Sequence, residues 1–222
     1  MGEMIELEAV DGHRFGAYRA TPSGATVGRL VVAQEIFGVN GHIRAVCDGF
    51  AADGYAVIAP ALFDREERGA ELGYDETGFA RGRDLSSQTG NDNAVCDLAA
   101  ALDAVRDGAT IGVVGYCWGG ALAWLCATRL DVDCAVGYYG ARIITYNHER
   151  PRCPVMLHYG ERDASTPADD VARVRAAHPD TTIHLYPAGH GFNCDQRTGD
   201  FHAESAATAR ERTLAFLAEH LG

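Results

Sequence analysis

The stretch that most constrains the fold is Gly115-Tyr116-Cys117-Trp118-Gly119-Gly120, which lies between two apolar runs of different character. Upstream, Thr110-Ile111-Gly112-Val113-Val114 reads as a strand, and downstream Ala121-Leu122-Ala123-Trp124-Leu125-Cys126-Ala127 reads as a helix. Passing from strand to helix within a few residues forces three backbones close together, and the glycines around Cys117 permit that approach. The reactive residue at the turn is a cysteine. Its position near a helix N-terminus, where unpaired N–H groups and the dipole favour negative charge, directs the chemistry toward a thiolate.

Strand, glycine-bracketed nucleophile and helix together form the layout of the nucleophile elbow of α/β-hydrolases. The remaining chain is consistent with such a fold. Ile5-Glu6-Leu7-Glu8 and Arg14 to Arg19 flank Asp11-Gly12 as a β-hairpin. Strands are expected at 29–34, 55–59, 134–138, 154–159 and 181–186, and helices at 43–53, 91–106, 167–177 and 203–220. Asn91 is the expected cap of the second helix. Residues 61–90 are rich in charge, Gly and Ser with weak periodicity, and are expected to form a lid or substrate loop. Strands alternating with helices predict an α/β class, with a mainly parallel, doubly wound sheet flanked by helices on both faces. A single domain over residues 1–222 accommodates all of it.

Composition narrows the partners. A formal net charge of −12 argues against nonspecific binding to nucleic acid or anionic membranes. No apolar run approaches the ~18 residues of a membrane span. Met1 to Val10 is acidic and lacks a basic n-region and an apolar h-region, so a secretory signal is not expected. The 7 cysteines form no CxxC pair and are odd in number, which suits a reducing cytoplasm. The 9 histidines include no HxxxH or HExxH spacing, and neither metal nor organic cofactor is expected.

In a doubly wound sheet, functional groups collect on loops beyond the carboxyl ends of the strands. Cys117, Asp163 and His190 each follow a strand, in the chain order nucleophile, acid, base. His190 would take the thiol proton, and Asp163 would hold the imidazole in the right tautomer. Asp169 and Asp170 lie near Asp163 but fit better as first-turn acids of the helix after Pro167. The oxyanion hole would use the N–H groups of Trp118 and Ile36. Glu35 is thereby brought near Cys117, either to control the protonation of the thiol or simply to pair with a neighbour such as Arg44.

Four segments, taken in order, resemble the dienelactone hydrolase family. They are Gln34-Glu35-Ile36-Phe37-Gly38-Val39-Asn40, Gly115 to Gly120, Ala135-Val136-Gly137-Tyr138-Tyr139-Gly140 and Ala188-Gly189-His190-Gly191-Phe192. The resemblance implies a monomeric α/β-hydrolase that opens dienelactone, an enol-lactone, to maleylacetate through an acyl-enzyme, with Cys117, His190 and Asp163 as the triad. Glu35 resembles the family glutamate that helps to generate the thiolate. The family also binds the substrate carboxylate with two arginines, one of them four residues after the catalytic histidine. Cys194 stands there instead, leaving Arg197 to compensate; for the other position Arg81 and Arg83 are the candidates, Arg81 being favoured. The expected partner is therefore a small lactone or carboxylic ester. The contrasting reading is a catalytically inactive descendant that binds a carbonyl ligand or a partner protein.

Overall fold

A computed structural model describes residues 2–222. Eight strands form one sheet: β1 (Glu3–Glu8), β2 (Arg14–Ala20), β3 (Gly28–Ala33), β4 (Tyr55–Pro60), β5 (Ile111–Tyr116), β6 (Cys134–Tyr138), β7 (Val155–Gly160) and β8 (Thr182–Tyr186). Their spatial order is β1-β2-β4-β3-β5-β6-β7-β8. The hairpin strands β1 and β2 run antiparallel, and every pairing from β4 to β8 is parallel. The chain moves outward from β3 to β4 and then returns across β3 to β5. This reversal makes the carboxyl ends of β3 and β5 the topological switch point, the place where such sheets carry their functional groups.

Five helices cover the two faces. Helices α1 (Gly41–Ala52) and α5 (Ala203–Leu221) bury Ile43, Phe50, Phe216 and Leu217 against one face. The opposite face is covered by α2 (Glu76–Arg106), α3 (Trp118–Arg129) and α4 (Ala168–Ala177), which contribute Leu98, Leu102, Leu122, Trp124 and Val174. Strands coated on both faces are apolar, which explains the unbroken runs in β5 and β6. Among the described residues, no helix is long and apolar enough to cross a membrane.

The segment 61–90 departs from the expected loop. A 3₁₀ turn spans Leu62–Arg65, and α2 begins at Glu76, where the Asp75 side chain accepts the Gly78 N–H. At Gly90, with φ 69° and ψ 161°, the helix is broken and restarted. Asn91 therefore opens the second helical stretch, which runs to Arg106 as expected, but its side chain is engaged with Trp118 and Tyr146. Helical order here escaped the sequence pattern because α2 carries glycines where packing is close. A Cβ at Gly82 would lie 1.9 Å from the Ile36 carbonyl oxygen. The 3₁₀ turn is tied to α2 by a bidentate pair, Arg65 Nε to Asp97 Oδ2 at 2.9 Å and Arg65 Nη2 to Asp97 Oδ1 at 2.6 Å.

Candidate active site

Cys117 joins β5 to α3 with φ 54° and ψ −115°, a conformation an L-residue rarely adopts. Its N–H donates to the Tyr138 carbonyl at 3.0 Å, and its carbonyl accepts from the Gly120 N–H at 2.9 Å. Two of the surrounding glycines are sterically required. A Cβ at Gly115 would lie 1.8 Å from the Gly119 carbonyl oxygen, and one at Gly119 would lie 2.2 Å from that of Ala33. Gly119→Ala is accordingly expected to cost about 3 kcal/mol of stability, because backbone must move to admit the methyl group. Urea denaturation checks this; an unchanged midpoint would contradict the packing.

The acid and base loops follow β7 and β8, which are paired in parallel. Backbone bonds join them, from Glu161 N–H to the Tyr186 carbonyl at 2.8 Å and from Arg162 N–H to the Ala188 carbonyl at 3.0 Å. Asp163 Oδ2 lies 2.8 Å from His190 Nδ1, and His190 Nε2 lies 3.1 Å from Cys117 Sγ. Asp163 is buried, and its Oδ1 accepts the Ser165 N–H at 2.7 Å. The Tyr139 ring meets the imidazole edge-on at 5.1 Å. Asp169 and Asp170 instead occupy the first turn of α4.

His190 feels opposing influences. Burial disfavours its charged form, but a Cys117 thiolate and the bonds to Asp163 and Cys117 more than offset this, raising its pKa to about 10. An imidazole free of such partners titrates near 6.5. The stabilisation from the raised pKa is thus complete below about pH 6.5 and is lost as the pH climbs toward about 10. The stability difference between the wild type and His190→Gln is expected to narrow over that interval in denaturation series at stepped pH. A difference that widens with pH would contradict the arrangement.

The loop after β3 brings Gln34 to Asn40 alongside the elbow, since β3 and β5 are direct neighbours. Gln34 was not singled out from sequence, yet it clamps this loop. Its Nε2 donates to the Glu35 carbonyl at 3.2 Å, and its Oε1 accepts the Leu62 N–H at 3.1 Å. A polar residue ending an apolar strand was the available signal. Ile36 is half-buried beneath Gly82, and Trp118 is the first residue of α3, where an N–H has no intrahelical acceptor. The Trp118 indole donates to Asn91 Oδ1 at 2.8 Å and stacks on Phe63 at 5.5 Å.

Glu35 is fully buried. Its Oε2 accepts from the Tyr74 hydroxyl at 3.5 Å, while Oε1 has no hydrogen-bond partner. The suggested pairing with Arg44 does not occur: Arg44 pairs with Glu71 at 2.7 Å and donates to the Val39 carbonyl at 2.7 Å. The three candidate arginines also separate. Arg81 lies on α2 in an exposed pair with Glu67 at 2.5 Å, and Arg83 is exposed on the same helix. Arg197 is buried, its guanidinium stacked over Phe79 at 5.0 Å and over Phe37 at 5.9 Å. It pairs with Asp200 at 2.5 Å through Nη2, leaving Nη1 buried and unpartnered. Its guanidinium also packs on Gly191, where an added Cβ would lie 2.4 Å from Nη1, so the cation sits beside the His190 loop.

The sheet order, the flanking helices and the strained cysteine turn define a hydrolase with the α/β-hydrolase fold. The dienelactone hydrolase family model matches residues 15–221, and the chain belongs to that family. Carboxymethylenebutenolidases from Pseudomonas putida and Pseudomonas knackmussii are each 37% identical over 97% of this chain and 96% of their own length. A crystal structure from Klebsiella pneumoniae subsp. pneumoniae, provisionally named a dienelactone hydrolase, is 30% identical with a TM-score of 0.85, covering 98% of this chain and 99% of its own. Membership makes this protein a hydrolase of esters or lactones, in preference to an inactive binding descendant.

Proposed function

We propose that this protein opens a small lactone or carboxylic ester through a cysteine acyl-enzyme. The reading rests on the unbroken line from Asp163 through His190 to Cys117, at 2.8 and 3.1 Å, ending at the strained turn. In the first half-reaction, His190 Nε2 takes the thiol proton and Cys117 Sγ attacks the carbonyl carbon. The negative charge passing to the carbonyl oxygen is met by the Ile36 and Trp118 N–H groups. Collapse of this intermediate breaks the ester C–O bond, leaving a thioester on Cys117, and the departing oxygen collects the proton. Water, deprotonated by His190 or by a basic leaving group, then attacks the thioester and releases the carboxylic acid. Asp163 accepts from the Nδ1–H throughout and stabilises the imidazolium. Glu35, buried below the same site, is assigned to control of the thiol's protonation.

A carboxymethylene group on the substrate would bring a carboxylate into the site. Arg197, with its unpartnered Nη1 beside the His190 loop, is the cation best disposed to receive it, in place of an arginine at Cys194. Arg81, engaged with Glu67, is the weaker candidate. A charge-assisted hydrogen bond contributes about 1.5–3 kcal/mol, so Arg197→Met should lower kcat/KM roughly 10- to 100-fold for an anionic lactone. Neutral aryl esters should be affected much less. Equal losses on both substrates would refute the carboxylate role. The reaction itself is tested by offering purified protein dienelactone and a panel of activated aryl esters. Turnover accompanied by iodoacetamide labelling of Cys117 supports the proposal; absence of both defeats it.

A further inference from the structure

We infer that Glu35, His42 and Cys194 form a binding site for a divalent cation of the zinc class. One potential ligand atom from each residue lies within 4.8 Å of the other two, and all three residues are buried. Two of these groups are left without partners. Glu35 Oε1 and His42 Nε2 are both buried and neither makes a hydrogen bond. Burying a polar atom without a partner is unfavourable, so two such atoms on residues of one cluster call for a common explanation. A cation satisfies both together.

The donor set indicates which cation. Thiolate, imidazole and carboxylate in one cluster suit zinc, which takes three protein ligands and leaves its fourth position for water. The bonds would be about 2.0–2.3 Å long, so the three ligand atoms would draw closer together around the ion. His42 is prepared for the task by its other ring nitrogen, since Nδ1 lies 3.4 Å from Asp195 Oδ1. A carboxylate near Nδ1 favours the proton there and would leave Nε2 as the ligating atom, as behind most metal-bound histidines. A cavity of about 370 Å³, lined by His42, Asn193 and Asp195 among others, borders the His42 side of the cluster. The ion would join the loop after β3 to the loop after His190.

The site shares Glu35 with the proposed control of the thiol, which a bound cation would draw away from that role; the test therefore starts from Cys117→Ala, which removes the competing catalytic thiol. Adding Co²⁺ to this variant should give one equivalent of binding with a thiolate-to-cobalt charge-transfer band, and Zn²⁺ should displace it. Introducing Cys194→Ser should abolish the band. Asp195→Asn changes only a largely exposed side chain and should weaken Co²⁺ binding about tenfold while keeping the band. A band present in the wild type but absent from Cys117→Ala would place the metal on the catalytic thiol and overturn the inference. So would a band insensitive to Cys194→Ser, or no band in either protein.

Discussion

Cys117→Ala is expected to lower kcat/KM for ester hydrolysis by roughly 10⁴-fold or more, because no neighbouring group replaces the nucleophile. Circular dichroism and the denaturation midpoint should change little, since alanine retains the Cβ and the same backbone. Cys117→Gly provides the complementary result. The turn holds Cys117 at φ 54°, a strain that glycine does not feel. That variant should be equally inactive yet more stable by about 1 kcal/mol, a rise in Tm of roughly 2–4 °C for a chain of this size. Stability given up to hold a reactive thiol at the turn is the physical content of the elbow. Activity surviving in both variants would move the nucleophile elsewhere.

Asp163→Asn is expected to reduce kcat/KM by roughly 10⁴-fold. An amide in place of Oδ2 can present an N–H to His190 Nδ1, across the 2.8 Å contact that now joins them. The imidazole would then carry its proton on Nε2 and could no longer accept one from Cys117. The fold should survive, because an asparagine oxygen can still accept the Ser165 N–H now bound at 2.7 Å. Iodoacetamide alkylation of Cys117 should slow in parallel, separating a lost base from lost substrate binding. If Asp163→Asn were fully active and Asp169→Asn or Asp170→Asn were not, the acid would have been misassigned.

Much of this was readable along the chain because the signals are local. Alternating strand and helix periodicity located the elements, and Asp11-Gly12 marked the hairpin, now seen as β1 paired with β2. The helical part of residues 61–90 was not readable. Gly78 and Gly82 weaken its periodicity, and Gly82 is explained only by the Ile36 carbonyl above it. Arg197 was chosen by nearness in sequence to Cys194, but its burial between Phe37 and Phe79 depends on side chains from distant segments.

By itself, then, the sequence determined that a cysteine sits at a strand-to-helix turn, with an acid and a histidine following later strands. Those features depend on short-range sterics and periodicity, which a chain carries wherever its strands are placed. Only the tertiary structure decided what else surrounds that cysteine. The nearness of the Glu35–Ile36 loop to Cys117 was expected from the elbow layout and is met by β3 lying between β4 and β5. It was the fold, however, that stacked Arg197 on Phe37 and Phe79 beside that loop. It likewise gathered Glu35, His42 and Cys194 into one buried cluster. Strand order is a matter of long-range pairing and packing, and no spacing along the chain records it.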